Sequence, residues 1–218
     1  MTSTKAVEST IPAIEAKLKS FGGDMVKIEF LENCLKQLLQ NDVKRFCHLK
    51  LADLYAYKLM WPLAARNMDA AADCATTFKD KINFYLKEIT YLIKLADFLM
   101  IDKAFKKAML CGNNAEKEGV KAQVKNIFLV EAEAYEKRNQ RSNAARIYER
   151  LLEMPITTTE TEKRHLIDKL GVLNSRLGRL KEAVRYEMMA KRPIEVKKDH
   201  ESNVKKVSFD DLGLDEVY

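Results

Sequence analysis

Chemistry in a protein rests mostly on histidine, cysteine, carboxylates and phosphate-cradling glycines, and each type occurs here at spacings that work against it. His48, His165 and His200 stand in no HExxH or Cys-His arrangement, so neither a zinc-activated water nor a thiol with its base is specified. Cys34, Cys47, Cys74 and Cys111 are widely separated and lack the close pairing of a zinc site or a redox CxxC. Each sits beside apolar residues in a helical pattern, which reads as a buried reduced thiol, with a disulfide or metal role as the alternative. Phe21-Gly22-Gly23-Asp24 is too short for a phosphate loop, and no Gly-Lys-Ser/Thr follows it. Glu131, Glu133 and Glu136 cluster in sequence, but on a helix only Glu133 and Glu136 are neighbours. With Lys137 and Arg138 alongside, the three read as a solvated charged face. Met60, Met68, Met100, Met109, Met188 and Met189 read as core fillers. The expectation is a non-enzyme without catalytic residue, cofactor, metal or small-molecule substrate.

The elements that carry these side chains are expected to be helices. The 218 residues are 47% hydrophobic and 32% charged, with only Gly 7 and Pro 4, too few turn formers for an all-β barrel or sandwich. No apolar run reaches the ~18 residues of a membrane-spanning helix, and Met1 to Glu8 has no apolar signal core; the expected setting is the reducing cytoplasm, with no membrane partner. Thr10 and Pro12 open a first helix by capping and preset φ. A second covers about 25–40, with Ile28, Leu31, Leu35, Leu38 and Leu39 at helical spacing. Residues 1–41 thus predict two helices packed on the first of a series of hairpins. From 42 to 191 a helix, a short break and a helix recur four times, over 42–78, 80–116, 119–154 and 160–191. The inner turns are expected at Leu59–Pro62, Met100–Asp102, Arg138–Gln140 and Leu177–Arg179, and a longer break at Gly112–Gly119. Beyond Arg192-Pro193 the helical pattern ends, which predicts a flexible tail over 192–218.

An internal repeat runs through the hairpins. Ala64, Ala104, Ala144 and Ala183 come just after the inner turns at spacings of 40, 40 and 39. Upstream stand Ala52, Leu92, Ala132 and Gly171, then Tyr55, Leu95, Tyr135 and Asn174; downstream stand Ala71, Cys111, Leu151 and Ala190. Small residues recur where antiparallel helices approach closely. Gly178-Arg179-Leu180-Lys181-Glu182-Ala183 resembles the inter-helix turn and second-helix start of the tetratricopeptide repeat (TPR) family, and Ala52/Tyr55 and Ala132/Tyr135 resemble its small and aromatic first-helix positions. In the second hairpin Leu92 stands where a small residue belongs, and the period exceeds the family's usual ~34.

The resemblance, over 42–191, implies an all-α fold: a right-handed α-solenoid of antiparallel helix hairpins whose first helices line a concave groove. Carried over by position, the partner groove would be Phe46, Leu49, Asp53 and Tyr57 in the first hairpin and Leu86, Ile89 and Ile93 in the second. The third would give Asn126, Leu129 and Glu133, and the fourth His165, Asp168, Val172 and Arg176. Phe46, Leu49 and Asp53 stand in place of the lysine/asparagine/arginine clamp of arrays that grip a chaperone's C-terminal carboxylate. The apolar first half suits an amphipathic helix or extended apolar peptide, unless the N-terminal helices or the tail already fill it.

Two further surfaces are implied. The inner turns of a hairpin array share one edge, which would collect Lys58, Lys103, Lys137, Arg138, Arg141, Arg176, Arg179 and Lys181, a solvated basic edge or a track for phosphates. In the tail, Val207, Phe209, Leu212, Leu214 and Tyr218 lie among acids, and the last ten residues hold Asp210, Asp211, Asp215 and Glu216 without a Lys or Arg. This predicts a linear interaction motif or a latch onto a basic groove. Lys205-Lys206-Val207-Ser208-Phe209-Asp210-Asp211 is similar to the docking motif of type-one serine/threonine phosphatases, with Val207 and Phe209 filling pockets and a phosphate on Ser208 opposing docking. The expected function is a protein–protein interaction scaffold or adaptor within a larger complex, holding one partner segment in its groove and a second through its tail. The alternative is an RNA- or ribonucleoprotein-associated factor that uses the basic turn edge.

Overall fold

The computed structural model describes residues 9–156 and 159–191. Val207, Phe209, Leu212, Leu214 and Tyr218, with the docking-like motif around them, lie outside the described residues. Among the described residues the chain forms ten α-helices and no strand. Helices α1 (Ile11–Ser20) and α2 (Asp24–Leu35) precede four helical pairs. These are α3 (Asn41–Tyr57) with α4 (Trp61–Asp73), α5 (Phe78–Leu92) with α6 (Phe98–Cys111), α7 (Asn114–Lys137) with α8 (Arg141–Glu153), and α9 (Glu160–Arg176) with α10 (Leu180–Ala190). From α2 onward each helix packs on its successor, and α5 also packs on α7.

Local sequence sets the boundaries. Thr77, Asp97, Asn113 and Thr159 accept hydrogen bonds from backbone amides in the first turns of α5, α6, α7 and α9, satisfying donors a helix start leaves unpaired. At α7 the cap is reciprocal: Asn113 Oδ1 accepts from Glu116 N at 2.9 Å and Glu116 Oε2 accepts from Asn113 N at 2.8 Å. That capping box starts α7 five residues before the expected break ends, so Gly119 lies inside a helix. Thr10 makes no side-chain cap. Helix α2 stops at Leu35, short of the expected 40, and Leu38 is fully exposed.

Each pair turns through one residue in the left-handed region: Leu59 (φ 59°), Ala96 (φ 52°), Asn139 (φ 60°) and Gly178 (φ 73°). The same backbone bond closes every turn, from the next residue's N–H to the carbonyl four positions before the left-handed residue. Met60 N reaches Tyr55 O at 2.8 Å, Asp97 N Leu92 O at 3.4 Å, Gln140 N Tyr135 O at 2.9 Å and Arg179 N Asn174 O at 2.9 Å. This corrects the second hairpin. Its turn lies at Ala96, after a 3-10 turn at Ile93–Leu95, and Met100–Asp102 is inside α6, whose N-cap is Asp97. The equivalent of Tyr55 is therefore Leu92, and the equivalent of Ala64 is Ile101.

In that register the positions seven before and five after the left-handed residue are Ala52/Ala64, Ala132/Ala144 and Gly171/Ala183 in the first, third and fourth hairpins, all buried. The second hairpin has Ile89/Ile101, both fully buried, so an isoleucine pair replaces the small pair. Two cores result. One gathers Ile14, Phe30, Leu31, Cys47, Leu51 and Ala64 from α1 to α4; the other runs from Ala65 through α5 to α9, and Tyr91 packs against both. Burying each such Ile, Leu or Phe contributes ~1.5–3 kcal/mol.

Candidate interaction surface

The four turns lie along one edge, and contacts between neighbouring hairpins hold them there. Trp61, one residue past the first turn, stacks on Tyr91 at 6.0 Å between ring centroids, and Lys94 Nζ sits 5.3 Å from the Trp61 ring. Lys94 also pairs with Glu131 at 2.8 Å, and Tyr135 Oη donates to Lys94 O at 3.4 Å, tying the second turn to α7. Arg179 donates to Ser142 Oγ at 3.1 Å, joining the fourth turn to the third. Glu131 is thus buried and ion-paired, contrary to the solvated face expected for it: the hairpin below supplies a lysine that no local pattern could announce. Glu133 is exposed near Lys169 at 3.8 Å, and Glu136 accepts from Tyr148 Oη at 2.6 Å.

The two halves of this edge differ in chemistry. On the first two hairpins it is apolar: Tyr57, Leu59, Met60, Leu95, Leu99 and Met100 are between 36 and 77% exposed. Turns normally carry Gly, Asn or Asp because those residues tolerate the left-handed region or bond their own backbone. The third and fourth turns follow that rule with Asn139 and Gly178. The first places a leucine at φ 59°, which is 68% exposed. A bulky side chain there costs on the order of 1 kcal/mol and gains no burial in return. Met60 and Met100, expected as core fillers, belong to this surface, as Met188 does to another; Met68 alone of the six is fully buried. The sequence signal was an apolar Leu59-Met60 in a turn.

The other half is basic. Lys137, Arg138, Arg176, Arg179 and Lys181 are exposed and Arg141 is half-buried. Arg138 lies over the Tyr135 ring at 5.9 Å and Arg141 donates to Asn139 Oδ1 at 3.3 Å. Lys58, expected on the same basic edge, is instead paired with Asp24 of α2 at 3.4 Å.

The groove positions do not form one continuous surface. Leu86, Ile89 and Ile93 are buried, at 6, 0 and 1% exposure, because α5 is packed by α4, α6 and α7 and its apolar stripe faces all three. In the register set by Ala96 the second hairpin's groove positions are instead Asn83, Leu86 and Thr90, which line a cleft of about 450 Å³ with Gln123 and Ile127 of α7. In the first, Asp53 and Lys50 share a cleft of about 390 Å³ with Glu15, Leu18, Lys19 and Lys27 of α1 and α2, Phe46 lies under Lys50 at 5.3 Å and Leu49 is half-buried. In the third and fourth, Leu129 and His165 line a separate cleft of about 290 Å³, while Asn126 and Glu133 are exposed.

Burial, then the nearby Cys34, pushes the Cys47 thiol up to about 12, which keeps it protonated and unreactive. His48 Nδ1 is 2.9 Å from Asn67 Oδ1. Glu88 is buried with Oε2 lacking a hydrogen-bond partner, and burial, reinforced by Asp69, raises its carboxyl to about 8.

No helix among the described residues is long and apolar enough to cross a membrane. The chain matches no family model and no curated protein.

Proposed function

We propose that the four hairpins stack as a right-handed α-solenoid of the TPR-like class, and that the chain is a non-catalytic scaffold or adaptor that docks a protein partner on its turn edge. The stacking reading rests on contacts that repeat with the hairpin. Lys94–Glu131, Lys125–Glu162, Arg179–Ser142 and Tyr186–Glu149 each join residues 37 apart, and Lys107–Asp69 joins residues 38 apart. The docking reading rests on one observation, the exposed apolar side chains at the first two turns with a leucine held at positive φ in full view of solvent. Single exposed apolar side chains are ordinary, whereas a row of six along one edge marks an interface. The proposed contact lies on hairpins one and two, at the turns rather than on the concave face expected from the sequence. The partner would present an apolar face, flanked by acids where it continues onto Arg138 and Arg179.

A photo-crosslinking residue at Leu99, with Leu110 on the opposite edge as control, tests this in native lysate. The expected result is a discrete set of protein adducts from Leu99 that survives nuclease and is not formed from Leu110. Equal adducts from both positions would overturn it. A second reading, association with RNA or a ribonucleoprotein, is favoured by the cluster Lys137, Arg138, Arg141, Arg176, Arg179 and Lys181. It requires adducts that vanish on nuclease treatment and binding that weakens steeply with salt.

A further inference from the structure

The register set by the left-handed turn residues identifies which face of each second helix meets the next hairpin. The positions two, six and ten past that residue are Trp61, Ala65 and Asp69 in α4. Trp61 stacks on Tyr91, Ala65 is buried with the α5 side chains, and Asp69 pairs with Lys107, all in the following hairpin. In α6, Phe98 lies under Arg146 at 5.9 Å and Asp102 pairs with Arg150, again in the next hairpin. In α8, Ala145 is fully buried and Glu149 accepts from Tyr186 Oη at 3.4 Å. In α10 the same positions are Leu180, Val184 and Met188, at 67, 47 and 64% exposure. An apolar stripe thus stands at positions that the preceding helices cover at least in part, Lys106 of α6 being the one exposed exception among them. Beside it a cleft of about 500 Å³ opens between α9 and α10, lined by Gly171, Val172, Ser175, Glu187 and Ala190. Terminal units of stacked arrays ordinarily need a polar outer face, and this one lacks it.

We infer that the chain's own segment 209–217 caps this end face. Three observations select that occupant. The segment supplies Phe209, Leu212, Leu214 and Val217 for the stripe and cleft. Its four acids, with no lysine or arginine among them, meet Arg176, Lys181, Arg185 and Lys191, which flank the face against only Asp168 and Glu187. The chain leaves α10 at Lys191, at the rim of the cleft, and the 18 residues from there to Phe209 reach at most ~60 Å, far more than the ~16 Å length of the 11-residue α10. Tethering also makes capping intramolecular, which raises the effective concentration to about the millimolar range. A second copy of the same face would instead bring Lys181 and Arg185 against their own like charges.

The test uses the full-length chain labelled with 13C at the methionine methyls. The Met188 resonance is expected to move on Leu212→Asp with Leu214→Asp, while Met60, on the turn edge, stays in place. Lys181→Glu with Arg185→Glu should abolish that dependence on the tail, and the Met188 position should not change with protein concentration. A Met188 resonance indifferent to the tail substitutions overturns the inference. A position that shifts with concentration assigns the face to a second copy and overturns it equally.

Discussion

At the scale of single residues, Leu59 and Glu88 are two that the fold holds at a cost. The first turn would be satisfied by glycine, as the fourth is at Gly178. Leu59→Gly should therefore stabilise the chain by ~1 kcal/mol, a Tm rise of about 2–4 °C at this size, while weakening partner capture. A variant that gained stability and kept full binding would separate the leucine from the interface. Glu88 makes its own pH signature. Its carboxyl titrates near 4.5 when unfolded and near 8 in the fold, so between those values the unfolded chain releases a proton that the native state retains. Stability is full below about 4.5, falls as pH rises through that window and levels off above about 8. Glu88→Gln removes the slope. In urea titrations from pH 4 to 9 the variant should match the parent at the acid end and exceed it at the alkaline end; parallel curves would contradict the assignment.

Among the elements, periodicity made the four hairpins legible, and the chemistry of the turns decided how well. The first, third and fourth pairs carry a small residue on each side of the crossing, and there Tyr55, Tyr135 and Asn174 fall in register with the left-handed turn. The second substitutes Ile89 and Ile101, and its turn is built from Ala96, a residue with no turn signature, so the repeat aligned on Ala104 slips by three. That slip also puts Ile89 and Ile93, which belong to the core, in place of Asn83 and Thr90 among the groove positions, where Leu86 falls in either register. The early start of α7 is readable from Asn113 and Glu116, a capping box masked by the two glycines that flank it. Gly171 sits at the crossing of α9 and α10. An added Cβ would lie 3.8 Å from Tyr186 Cβ and 4.0 Å from Ala183 O, so Gly171→Ala fits and should stabilise by ~1 kcal/mol through helix propensity. Gly171→Leu overpacks the same crossing and should destabilise by ~1–3 kcal/mol. Thermal melts showing the same sign for both would refute the close approach of α9 and α10.

Over the whole molecule, successive hairpins are joined by side chains that no local pattern connects. Lys94 to Glu131, Arg150 to Asp102 and Lys125 to Glu162 each cross from one hairpin to the next, and these links are visible only in three dimensions. The basic half of the turn edge was readable as a run of Lys and Arg near two turns. The apolar half was not, because Met60 and Met100 look like core methionines until their exposure is known. The two cores meet at α4, and Trp61 bridges them with Tyr91, beside the apolar half of the edge. Partner docking there would bear on the joint between the cores, where Lys94 ties the first three hairpins together.

The apolar half of the turn edge, rather than the basic half, is the contact we propose for the protein's function. The most direct measurement is quantitative mass spectrometry of proteins co-purified with the full chain, with Leu59→Asp and Leu99→Asp together, and with Arg138→Glu and Arg179→Glu together. Each purification is done at low and high salt with and without nuclease, and matched circular dichroism melts confirm that all three are folded. The expected result is a captured set that survives nuclease and high salt in the parent, falls at least tenfold in the leucine variant and changes little in the arginine variant. A set untouched by the leucine substitutions but lost with the arginines, salt or nuclease would contradict the claim and assign the edge to nucleic acid.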